Sequence, residues 1–209
     1  MATLLQLPVE LRLKIYSMAI SSRPNVINID EGASSSEPPR STLAKSLAAV
    51  DQELTREMIP IYWSTNIFET YLLNGMGHYI PTDWTFHRWL KDIVKDSATC
   101  IRHLRFKGML RIPLDHEQDC IFTVDVDLRR RKTWVWNKSG QPCDCEHAII
   151  LRSRMAERLT QIPRVDGQWQ PSPSILWDVF DCWYAYHPVL SRPARSWDEF
   201  QRQYGHFGP

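Results

Sequence analysis

Cys143-x-Cys145-x-His147 is the densest group of metal-ligand residue types in the chain. Two thiolates and an imidazole would give three of the four ligands that tetrahedral zinc takes, and Cys120 or His116 could supply the fourth. The spacing is not that of a usual zinc-finger half, and a helix capped by Asp144 is expected to begin inside it. The plainer expectation is a loop with two buried thiols and an exposed histidine, and no cofactor. A second group, Arg129-Arg130-Arg131-Lys132 beside Trp134 and Trp136, has the residue types for phosphate contact and base stacking. A net charge of only +1, with Asp125 and Asp127 close by, favours instead a solvated hairpin tip whose cations stop an edge from pairing with other sheets. Nucleic acid is not expected. For catalysis there is no G-x-S-x-G elbow, P-loop, G-x-G-x-x-G or H-E-x-x-H. Cys120, Cys182 and the seven histidines, His103 and His187 among them, have nothing in the sequence that brings a Cys-His pair together. An enzyme is not expected and no catalytic residue is assigned.

The elements that must position these groups follow from periodicity. Leu43, Leu47, Val50, Leu54, Met58 and Ile61 form an amphipathic stripe capped by Ser41 or Thr42, which Pro60 should kink or end one turn early. Val26 to Ile29 can add a short strand, and Asn66 to Leu72 reads as another. Phe86, Trp89, Leu90, Ile93 and Val94 mark a third helix behind Thr82 or Asp83. A strand over Cys100 to Lys107 comes next. Ile121 to Leu128 alternates cleanly, Phe122, Val124, Val126 and Leu128 facing one way, with Thr133 to Trp136 as the return strand. Helices follow over Ala148 to Ile162 and from Ser172-Pro173 to Tyr184, and Ser196-x-x-Glu199 resembles a capping box. No internal repeat and no βαβ rhythm is visible. The expected class is α+β, helices packed on a small, largely antiparallel sheet.

The amino terminus raises a different possibility. Pro8 sits where a first-turn proline is tolerated, and Glu10 falls at the positive end of a helix dipole. Leu11, Ile15, Met18 and Ala19 form one apolar row; Val9, Leu13, Tyr16 and Ile20 form a second. A short helix with two apolar rows must be covered on two sides. One cover can be the protein itself, and the other invites a partner.

Leu7-Pro8-x-Glu10-Leu11-Arg12 followed by Ile15-Tyr16 resembles the opening helix of F-box domains in the form common among fungal proteins. Leu47 to Val50, then Glu57-Met58-Ile59-Pro60-Ile61-Tyr62, then Asn66-x-Phe68, is similar to that group's follow-on pattern. Asp51-Gln52 stands where the group often has Cys-Arg, and a long polar segment, with Gly32-Ala33-Ser34-Ser35-Ser36-Glu37-Pro38-Pro39, separates the halves. The resemblance implies residues 1–68 as an F-box-like helical module with a flexible insertion near 30–41. Residues 69–209 would form an α+β region, separate or continuous with the first. It further implies docking on the Skp1 subunit of a cullin ubiquitin ligase while the rest of the chain selects a protein substrate. Leu5, Leu7, Pro8, Leu11 and Ile15 would then enter a partner groove, with Glu10 and Arg12 at the polar rim. The same apolar rows also suit a helix packed wholly within one continuous domain. A metal- or nucleic-acid-binding regulator with no ligase role is the remaining alternative.

Composition sets the outer bounds. The chain of 209 residues, 43% hydrophobic and 23% charged, can bury a sizeable core. No apolar run approaches bilayer length, so no membrane partner is expected. Five cysteines without framework spacing, and a start lacking a charged leader, suit a reducing compartment, cytoplasm or nucleus. Nine tryptophans suit a core of large rings more than an exposed recognition surface.

Overall fold

The computed structural model describes residues 4–21, 26–29, 52–72, 82–111 and 119–185. The order is α1 (Val9–Ser21), β1 (Val26–Asn28), α2 (Gln52–Thr65), β2 (Ile67–Leu72), α3 (Thr82–Arg88), β3 (His103–Arg111), β4 (Asp119–Asp127) and β5 (Lys132–Trp136). Then come α4 (Glu146–Thr160), β6 (Arg164–Val165), β7 (Gln168–Trp169) and α5 (Pro173–Ala185). The class is α+β, as expected. The proposed caps Ser41 and Thr42, the residues Leu43 to Val50, His116, His187 and the Ser196 capping box lie outside the described residues.

The sheet is mixed. Strands lie in the order β1-β2-β3-β4-β5, with the first two pairings parallel and the last two antiparallel. Because parallel neighbours need a crossover, α2 carries the chain from the β1 side to β2, and α3 carries it from β2 to β3. A βαβ rhythm is therefore present. Its signal is weak in sequence because β1 has three residues and a long polar segment follows it.

One face of the sheet makes the core. The alternation read in β4 places Phe122, Val124 and Val126 inward beside Leu104, Phe106 and Phe68, against α3, α4 and α5. The α4 stripe is Ala148, Leu151, Met155 and Leu159, at steps of three, four and four. Rings fill the middle: Phe86 stacks on Phe180 at 4.3 Å, and Phe106 on Trp183 at 5.2 Å. Most described tryptophans of the helices sit here, where their large area stabilises the fold. Ser172 caps α5 as read, its hydroxyl accepting the Ile175 N–H at 3.3 Å. At α4 the cap differs: Cys145, not Asp144, is the capping residue, and Asp144 pairs instead with Arg152 at 2.9 Å.

Pro60 does not end its helix. α2 runs one turn past it to Thr65, with Pro60 at an exposed position of the helix. Beyond it, Tyr62 and Trp63 hold the helix to the main core, and Asn66 closes it by donating its side-chain amide to the Tyr62 carbonyl at 2.9 Å. Residue 68, the expected edge of an N-terminal module, lies inside β2. α3 likewise continues as a π-helical turn over Trp89–Val94 and a 3-10 turn over Lys95–Cys100, so β3 starts at His103 rather than Cys100.

Candidate partner-binding surface

The amino terminus folds around one arginine. Leu4–Gln6 make a 3-10 turn, and the Pro8 carbonyl accepts the N–H groups of Leu11 and Arg12 to start α1. From the helix Arg12 reaches back to the lead-in and across to α2. Its Nη1 donates to the Leu5 and Leu7 carbonyls at 3.0 and 2.9 Å, its Nε to Glu57 at 3.0 Å, and its Nη2 to Glu53 at 3.0 Å and to Glu57. Arg12 is thus 7% exposed and no rim residue. A guanidinium can satisfy this many acceptors because its five donors form a rigid fork. The hydrogen bond from Arg12 holds the Glu57 carboxyl below its ordinary pKa, so the pair stays charged. Arg12 belongs to the first half of the motif and Glu57 to the second. The two halves are joined by this contact.

One turn on, Tyr16 is buried against Leu54 and Met58, with Leu5 and Ile61 partly buried beside them. Burial, then the neighbouring Glu57 charge, pushes the Tyr16 phenol pKa up. This small cluster is separate from the main core, and α2 serves both: Leu54 and Met58 here, Trp63 there.

The rest of α1 points outward. Leu11, Ile15 and Met18, at i, i+4 and i+7, are 49%, 42% and 68% exposed. Val9 and Leu13 are exposed too, on the flank that faces the body of the protein. Of the expected partner residues, Pro8, Glu10, Leu11 and Ile15 are exposed and share one helix and its first turn, while Leu5 and Leu7 are half-buried.

The other candidates are placed differently. The Cys143 and Cys145 thiols lie 3.3 Å apart, partly buried against the core, with the Cys143 N–H bonded to Val135 in β5. Cys120 sits at the far end of β4, four residues from Val124, the partner of Val135. That is about 13 Å along the strand, too far for a shared ion. Among the described residues no three His, Cys, Asp or Glu side chains converge as a metal site. The basic turn is divided: Arg130 pairs with Asp127 at 3.7 Å, and Arg131 lies 4.0 Å from the Trp169 ring centre. Trp136 donates its indole N–H to Asp125 at 2.8 Å on the outer sheet face, the carboxylate that Arg105 also pairs with.

That outer face carries a cross-strand charge network. Glu69, buried in β2, pairs with Lys107 at 2.9 Å, and Arg105 pairs with Asp125 at 2.5 Å. The hydrogen bond to Glu69, then burial, raises the Tyr71 phenol. Burial pulls Lys107 down, but the bond and charge of Glu69 outweigh it and the net shift is upward. Each shift fixes the form already present at neutral pH, the opposite of what a general acid or base needs. His87, buried in the core, falls to about 4, chiefly through burial, and stays neutral.

Trp169 is a residue that the sequence reading passed over. It ends the β6–β7 hairpin, whose turn residues Asp166 and Gly167 have φ of 50° and 77°. Both in the left-handed region, they make the two-residue turn that an Asp-Gly pair favours. That dipeptide between Arg164-Val165 and Gln168-Trp169 is the signal that could have found it. No known protein family, curated protein or solved structure matches this chain.

Proposed function

We propose that the chain is a non-enzymatic, F-box-like interaction adaptor of the cytoplasm or nucleus, docking through α1 on Skp1 in a cullin ubiquitin ligase while the α+β body receives a protein substrate. The observation that carries this reading is the exposed row Leu11, Ile15 and Met18 on a helix whose other side is pinned by Arg12 and Tyr16. A helix held from behind presents its apolar side chains without further ordering, which is the form that helix-in-groove recognition uses. The Arg12–Glu57 contact adds support, since it ties both halves of the F-box-like pattern into one unit. Glu10, exposed in the first turn, would serve at the rim without Arg12.

The test is co-purification with Skp1 of the wild type and of Leu11→Asp with Ile15→Asp. Both residues are exposed, so the double variant should remain folded, whereas Leu7 and Leu5 would confuse docking with stability. Wild-type capture that the double variant loses supports the adaptor. Soluble, folded wild type that fails to capture Skp1 overturns it.

A further inference from the structure

A groove of about 720 Å³ runs between the N-terminal helices and the β6–β7 hairpin. Its volume is in the range of sites that enclose a small ligand or a few side chains. Val9 and Leu13 from α1 and Ile61 from α2 give it an apolar wall, and Leu128, which follows β4 and is buried in the main core, also lines it. Three arginines from three different places line the same space: Arg56 on α2, Arg102 ahead of β3, and Arg129 in the β4–β5 turn. The acid lining it is Glu57, already bonded to Arg12. Among the described residues Arg56, Arg102 and Arg129 have no carboxylate partner.

We infer that this groove binds an acidic peptide segment that also carries a bulky apolar side chain. The apolar wall takes the side chain, and the three guanidiniums take carboxylates spaced along the segment. Arginine suits this role because its fork bonds a carboxylate through two parallel N–H groups. A free phosphate would leave the apolar wall unused. A nucleic acid strand would want an aromatic face to stack on. Trp169 is the aromatic side chain lining the groove, and its ring already has the Arg131 guanidinium at 4.0 Å and that of Arg164 at 5.5 Å from its centre. The inference stands apart from docking through Leu11, Ile15 and Met18, which do not line the groove.

The test uses the full chain against arrayed short peptides of Asp and Glu interspersed with Leu or Phe. Control peptides have the acids changed to Lys, or the apolar residues changed to Ser, and a single-stranded oligonucleotide is the competitor. Saturable binding to an acidic-apolar peptide is expected, weaker for both controls. Arg56→Glu with Arg129→Glu, both at exposed positions, should lower affinity about tenfold or more, the scale of one to two lost charge-assisted contacts. Leu11→Asp should leave it unchanged. Three results would overturn the inference. They are no saturable binding by folded wild type, equal affinity for the serine control, and an oligonucleotide that outcompetes the peptide.

Discussion

The amino-terminal pair of helices and the α+β body solve the same problem in opposite ways. The body is held by apolar area: Phe86, Phe106, Phe180, Trp177 and Trp183 are almost wholly hidden, and the charges on its outer sheet face are paired across strands. In the N-terminal unit, α1 hides its arginine and exposes its leucines. Arg12 is more buried than Leu11, Leu13, Ile15 or Met18. A protein stabilised by burial alone would not leave that much apolar surface on one helix. The proposed docking through α1 rests on this contrast.

The largest expected effect breaks the body. Phe180→Ala removes a ring stacked on Phe86 and in edge contact with Phe106, and should cost about 3–5 kcal/mol, the range for emptying a tightly packed aromatic site. Denaturant unfolding followed by tryptophan fluorescence would show it. A loss below about 1 kcal/mol would mean that the ring is not in a tight core. Met58→Ala comes next, at about 2 kcal/mol, because its cluster is small and can partly collapse. Its signature is regional. Amide exchange in α1 should accelerate while β3 and β4 keep their protection, since Met58 belongs to the smaller cluster. Equal acceleration everywhere would join the two regions into one cooperative unit.

What the sequence revealed also divides along this line. In the body, β4, β5, α4 and α5 were legible because each obeys one period, apolar on one face against a single core. The order and direction of β1, β2 and β3 were not, since strand pairing is decided by distant contacts that no local period records. At the amino terminus the pattern left open what covers Leu11 and Ile15, and it misplaced Arg12. Charged residues are seldom buried, so an arginine beside a leucine row reads as a rim. The corrective signal was present: Arg12 and Tyr16 are four apart, as are Glu53 and Glu57 on the facing helix. For the groove, Arg56, Arg102 and Arg129 are too far apart in sequence to read as a group, and chain folding alone brings them together.

A titration sharpens the difference further. His87 in the body titrates at about 4 when folded, against about 6.5 when unfolded. Between these values the unfolded chain binds the extra proton, so stability falls as pH drops from 6.5 towards 4 and the loss levels off below. For a buried ring this shift is worth an effect on the order of a few kcal/mol. Most carboxylates stay ionised above about pH 5, so the upper part of the window reports the histidines, His87 and also His103, which burial shifts down in the same direction. His87→Gln should lower overall stability yet flatten that slope. An identical slope in the variant would place the titration elsewhere.

The smallest expected change is the most decisive for the contrast. Leu11→Asp with Ile15→Asp puts two carboxylates where the helix now shows apolar side chains to water. Neither residue belongs to either buried cluster, so each should alter stability by no more than about 0.5 kcal/mol, apart from a mild repulsion between charges four residues apart. Arg12, Glu57 and Tyr16 keep every contact they have. In the main core the same substitution, Val124→Asp for instance, would strand a charge among rings and unfold the protein. Thermal unfolding of the double variant therefore separates two accounts of α1. An unchanged midpoint means the apolar row of Leu11, Ile15 and Met18 is surplus to folding, as the proposed docking requires. A large drop means that the chain itself covers the row, and the N-terminal unit is then built on the same principle as the body.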